Sequence, residues 1–249
     1  MKINFNAKLS QKEKELLKTP FKKLVPEESR AWFFPVLQKM HKKLKSRGLM
    51  VYPNVWYSNE WFCPEGYNGI AIPFYLAHPK IPPLARKLGK YLEGTTLKSF
   101  ERLIFHELGH AVEHAYGLSQ QRWRVKTFGS TENPYPKKYR FDPKSKDFVR
   151  NLDSGYAQSH PDEDFAETFA VWMHSKKYWK SGYEGWPALD KLNQLDFKMR
   201  NLKAKRIRVK AGRTYQSLNE SSELLKDLIF KLPDKEQMSK NLYSSYIVM

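Results

Sequence analysis

The stretch His106-Glu107-Leu108-Gly109-His110 constrains this chain more than any other, because its spacing has a chemical meaning only on an α-helix. Helical residues four apart share one face, about 5–6 Å from each other, so the two imidazoles can reach one Zn²⁺ ion at about 2.0–2.1 Å each. Glu107 is rotated off that face, which makes it a poor ligand and a good base for metal-activated water. Two conditions follow: the flanking sequence must read as a helix, and a third ligand must come from elsewhere.

The first condition is met by Leu97, Phe100, Leu103, Ile104, Leu108, Ala111, Val112 and Ala115, which recur at the three- and four-residue steps of a core-facing helix. Thr95 or Thr96 can cap its start and Gly117 can end it. Gly109 costs about 1 kcal/mol against Ala in a helix interior, so its presence predicts close approach of another backbone or of the metal site. His114 extends the histidine face by a turn, and Tyr116 stands where a metzincin would place its third ligand, which disfavours that class.

For the second condition, residues 156–172 predict another helix, from about His160 to Ser175. Ser159 with Asp162 reads as a capping box, Pro161 suits a first turn, and acids there suit the helix dipole. Phe165, Phe169, Trp172 and Met173 form its buried stripe, while Glu163 and Glu167 share another face. One of the two glutamates can bind the metal, and the other can accept a hydrogen bond from the far nitrogen of a ligand histidine.

The pair HELGHAV and EDFAETF resembles the gluzincin peptidases, specifically the bacterial group named putative zinc-binding metallopeptidases, and more distantly the catalytic domain of anthrax lethal factor. The resemblance extends over roughly residues 75–186 and includes Phe128-Gly129-Ser130, Pro134-Tyr135-Pro136 and Gly185-Trp186-Pro187. It implies Glu163 as the third zinc ligand, Glu167 as its supporting residue and Tyr156 as the donor to the reaction's oxyanion, a role for which His160 competes. His106, His110 and Glu163 leave one position of the zinc for water, whose pKa the metal lowers toward about 7. Glu107 then takes that proton and delivers it to the leaving amine. The expected protein is a zinc metallopeptidase, an endopeptidase acting on a polypeptide.

Charge supports a second class of reading. The chain has 44 Lys and Arg against 26 Asp and Glu, a net +18. Residues 1–48 carry thirteen bases and four acids, and residues 197–219 carry Lys198, Arg200, Lys203, Lys205, Arg206, Lys210, Arg208 and Arg213 with no acid. Such runs suit nucleic acid, an anionic surface or an acidic protein, or form a solvated face; in the alternative reading the chain is a basic binding module with a structural or idle zinc site, and the two functions can coexist. Within the long connection 117–154, Arg122, Arg124, Lys126, Lys137, Lys138 and Arg140 predict a basic rim that favours acidic substrates.

The expected architecture is α+β and zincin-like: mostly helical, with a small mixed sheet ahead of the HExxH helix and basic helical flanks. Residues 1–48 read as an N-terminal helical segment, 49–186 as the catalytic core and 187–249 as a C-terminal helical extension, together one compact unit. A helix is predicted within 26–47, strands at 49–57 and 68–76, and helices at 187–202 and around 224–232. By the resemblance the strand at 69–76 pairs with extended substrate, although Pro73 predicts an edge position. A lone cysteine, Cys63, rules out an internal disulfide and a zinc–thiolate cluster. Residues 1–21 offer no apolar run for a signal peptide, so the expected location is cytoplasmic.

Overall fold

A computed structural model describes residues 9–137, 139–153, 155–202, 207–209 and 214–235. In chain order its elements are α1 (Gln11–Leu17), α2 (Phe34–Ser46), β1 (Asn54–Ser58), β2 (Gly69–Pro73), α3 (Ile81–Lys87), α4 (Leu97–Tyr116), α5 (Arg122–Phe128), α6 (Pro161–Trp172), α7 (Lys176–Gly182), α8 (Ala188–Arg200) and α9 (Leu225–Lys231). The class is α+β, helical with one two-stranded sheet among the described residues.

The long helix α4 begins and ends for local reasons. Thr96 Oγ1 accepts the Ser99 amide at 3.1 Å while Ser99 Oγ accepts the Thr96 amide at 3.1 Å, so two otherwise unpaired N–H groups are satisfied. Gly117 takes the left-handed conformation (φ 60°) that stops the helix. Phe100, Ile104, Leu108, Ala111 and Ala115 are buried along α4, against a core that includes Phe165 and Phe169 of α6. At Gly109 the two helices touch: a Cβ there would lie 2.7 Å from the Ala166 Cα. The glycine gives up helix propensity to let the metal-motif helix approach α6 at backbone distance.

The start of α6 differs from expectation. The cap is His160, whose Nδ1 accepts the Asp162 amide at 3.1 Å, while the Ser159 hydroxyl donates back to the Tyr156 carbonyl at 2.7 Å. Proline at the first helical position fixes this boundary, because its missing N–H needs no partner there. The same proline effect places the start of α2 at Phe34, with Pro35 in its first turn, within the amphipathic stretch 26–47 and after a separate 3-10 turn at Glu28–Arg30.

β1 and β2 run parallel, in register from Asn54↔Gly69 to Ser58↔Pro73. Their connection folds back so that Phe62 bridges Ala71 from the other side, with the Ala71 amide donating to the Phe62 carbonyl at 2.9 Å. All five residues of β2 are buried. The strand expected to pair with substrate has a neighbour on both sides at Ala71, while Pro73, paired with Ser58 alone, ends it at the edge of a two-stranded sheet.

The segments around Phe21 and Leu218–Leu225 meet on the sheet side. The Phe21 amide donates to the Glu223 carbonyl (2.8 Å), the Leu225 amide to Thr19 (3.0 Å) and the Leu218 amide to Tyr57 (2.8 Å), and one apolar cluster runs from Leu17 to Leu232. Of the basic run 197–219, Lys203, Lys205, Arg206, Lys210 and Arg213 lie outside the described residues, as does Lys138. Arg200 pairs with Asp196 at 3.1 Å, and the Arg208 amide donates to the Ala115 carbonyl at 2.7 Å. Among the described residues no helix is long and apolar enough to cross a membrane.

Candidate metal centre

α4 and α6 bring His106, His110 and Glu163 together, with their ligand atoms all within 4.8 Å of one another. Glu163 Oε2 lies 3.1 Å from His106 Nε2 and 3.4 Å from His110 Nε2. It is buried and makes no hydrogen bond. On the far side of its ring, His106 Nδ1–H donates to Glu167 Oε1 at 2.9 Å, which leaves the Nε2 lone pair facing the carboxylate. Two electron pairs aimed at each other in a buried space require a cation or a proton between them. Two imidazole nitrogens and one carboxylate oxygen form a donor set of the kind that holds catalytic zinc with one position open.

On the His106 side the supporting contacts are as buried as the ligands. Glu167 is fully buried and its remaining capacity is filled by Asn151 Nδ2 on Oε1 (2.9 Å) and the Leu152 amide on Oε2 (2.8 Å). Glu163 Oε1 accepts the Tyr135 hydroxyl at 2.8 Å, so its second oxygen is the one turned to the histidines. Burial alone would discharge these groups, but in each case the partners prevail. The Glu163 and Glu167 carboxylates hold His106 well above the usual imidazole range, and Glu163 does the same for His110. Against its burial, the two imidazoles hold Glu163 far below the usual carboxylate range.

Glu107 stands next to this cluster, 6% exposed, and burial pushes its carboxyl up despite the two histidines. Tyr156 packs its ring 5.6 Å from that of His106, and burial with the Glu163 and Glu107 charges pushes its phenol up, so it stays a proton donor. His160 is elsewhere engaged: Nδ1 caps α6, and Nε2 lies 2.7 Å from the Asn133 carbonyl. The ring of Tyr135 stacks on it at 3.7 Å. Both His160 nitrogens are thus engaged within the protein. Burial and His110 push His114 down to about 4, and its Nδ1–H donates to the Tyr67 carbonyl at 3.2 Å.

Arg124, fully buried, was expected on an exposed rim. It instead joins three elements, binding Glu113 of α4 (2.6 Å), Asp162 of α6 (2.6 Å) and the Gly129 carbonyl (2.7 Å). The groups it contacts are 5 to 38 residues distant, so periodicity could not reveal it. Tyr135 was also missed as a contributor to the site; its only signal was a tyrosine held between two prolines in the long connection.

A cleft of about 680 Å³ opens over the centre. His106, Glu107, His110, Glu113 and His114 of α4, with Gly117 just past its end, form one wall, with rims from Trp61–Gly66 and Thr131–Tyr135. None of the described residues among Arg122, Arg124, Lys126, Lys137 and Arg140 lines it, so the expected basic rim is absent there.

No curated protein and no solved structure gives a significant match to this chain. The His, His, Glu cluster and the matching family agree on zinc as the cofactor. Residues 102–220, which carry the three candidate ligands, Glu107, Tyr135, Tyr156 and Glu167, match the model of the family described as "Putative zinc-binding metallo-peptidase".

Proposed function

We propose that the protein is a zinc-dependent metallopeptidase of gluzincin type that cleaves peptide bonds within a polypeptide. The observation that carries this reading is the unpartnered Glu163 Oε2, turned toward two histidine nitrogens whose helix also presents Glu107. When bound, zinc supplies Lewis acidity, lowering the pKa of a water and polarising the scissile carbonyl.

The chain's own residues divide the remaining work. Glu107 is not one of the three converging ligands, so its carboxylate is free to take a proton from the attacking water and pass it to the leaving amine. Tyr156, protonated and beside His106, is the donor we assign to the developing oxyanion. Glu167 and Asn151 keep the His106 ring in one orientation and tautomer. Along α4 from His106 to Gly117 the groove extends about 16 Å at 1.5 Å per residue, enough for about five extended substrate residues.

Glu107→Gln separates the base from the metal site. The variant is expected to keep its zinc and lose about 10²–10⁴-fold in peptide hydrolysis, measured on a peptide library with zinc content determined in parallel. Unchanged turnover would remove Glu107 from the mechanism.

A further inference from the structure

The cleft is an acidic trough in a strongly basic protein. Although the chain has 44 Lys and Arg residues, none of the described ones lines the cleft, whereas Glu65, Glu107, Glu113, Glu132, Asp162 and Glu163 do. Four of these acids have other duties. Glu107 and Glu163 belong to the centre, and Glu113 and Asp162 are each bound to Arg124 at 2.6 Å. Glu65 and Glu132 remain, both exposed, with no ion-pair partner among the described residues. That the trough is a binding site stands on separate ground, the buried and unpartnered Glu163 Oε2 at its base.

The two free glutamates lie on opposite rims but toward the same end. The 63–67 segment is placed beside His114 by the Tyr67 carbonyl and by Cys63 Sγ, 3.2 and 3.6 Å from His114 Nδ1. Thr131, next to Glu132, accepts a hydrogen bond from Gln120 at 3.1 Å, just past the end of α4. The C-terminal carbonyls of α4 add negative partial charge at that end. Arg208 packs against Gly117 there but is not among the lining residues. Trp61 and Phe62 on the rim offer an apolar face to the aliphatic stem of a long cationic side chain.

We propose that this cleft selects polypeptides carrying a lysine or arginine on the side of the scissile bond that lies over the C-terminal half of α4, with Glu65 and Glu132 as the residues that read the charge. The term "scissile" rests on the metallopeptidase reading; the charge preference does not. Both glutamates are on exposed loops, so substituting them leaves the core intact.

The test measures equilibrium binding to the Glu107→Gln protein, loaded with zinc, of short neutral peptides carrying a single lysine at a scanned position, against twins with glutamate in its place. Near-physiological salt screens the rest of the +18 surface beyond about 8 Å. The lysine peptides should bind more tightly at a cluster of neighbouring positions. Glu65→Gln and Glu132→Gln should each reduce that preference about threefold, the size of an exposed ion pair, and the Glu65→Lys, Glu132→Lys double variant should reverse it. Equal binding of the twins, no binding of either, or a lysine preference untouched by these variants would overturn the proposal. If the preference is present but the unsubstituted enzyme cuts none of the bound peptides, the peptidase reading fails and the charge selection stands.

Discussion

His106 and Tyr135 both touch Glu163, yet one is 3% exposed and held on its far side by Glu167, while the other is 54% exposed on an irregular connection. The base of the cleft is a helix–helix interface in which the ligand side chains are held by packing, His106 by Glu167 and Glu163 through its other oxygen by Tyr135. Its rims, 61–66 and 131–135, are loops whose exposed acids lack ion-pair partners among the described residues. The contrast separates two tasks. Chemistry depends on atoms held by α4 and α6 and tolerates little change, whereas substrate preference depends on loop side chains that can change without disturbing the fold.

Substitutions at each level should differ in size accordingly. Glu167→Ala removes the acceptor that fixes the His106 ring and leaves Asn151 without its carboxylate partner; zinc affinity should fall about 10–100-fold, read by competition with a chelator. An unchanged affinity would mean that the buried network is not what orders the ligand. Gly109→Ala attacks the interface itself, since the added Cβ would stand 2.7 Å from the Ala166 Cα and 3.0 Å from its carbonyl. Overpacking against backbone costs about 1–3 kcal/mol, more than the propensity gain of about 1 kcal/mol, so denaturant unfolding should show a net loss of stability. A more stable variant would show that the two helices can separate freely. The smallest effect is expected at the rim. Tyr135→Phe deletes one hydrogen bond to Glu163 at a half-exposed position, worth about 1 kcal/mol, and should weaken zinc binding only about fivefold by the same chelator competition. A loss as large as that of Glu167→Ala would place the rim tyrosine among the essential supports and erase the distinction.

Legibility in the sequence follows the same division. α4 was readable because its apolar period, its threonine cap and Gly117 agree, and α6 because Pro161 and the stripe of Phe165, Phe169 and Trp172 agree. The cap of α6 was misread because Ser159 and Asp162 imitate a capping box, while the histidine between Ser159 and Pro161 is the residue with an acceptor aimed at the Asp162 amide. The strands were placed in the right regions but drawn too long: extended or 3-10 segments flank the pairing, and only the register shows where the ladder stops. Arg124 looked like a surface cation because its partners, Glu113 and Asp162, are 11 and 38 residues away and only the tertiary fold brings them together. The rims carried no periodic signal, so neither the position of Tyr135 nor the acidity of the cleft could be read from local pattern.

Zinc content measured on untagged protein tests the central claim most directly. The geometry predicts a single equivalent in the unsubstituted chain, retained in Glu107→Gln and lost or strongly reduced in Glu163→Ala. An unsubstituted chain that binds no zinc, or a Glu163→Ala variant that keeps a full equivalent, would contradict the assignment of His106, His110 and Glu163 as the metal centre.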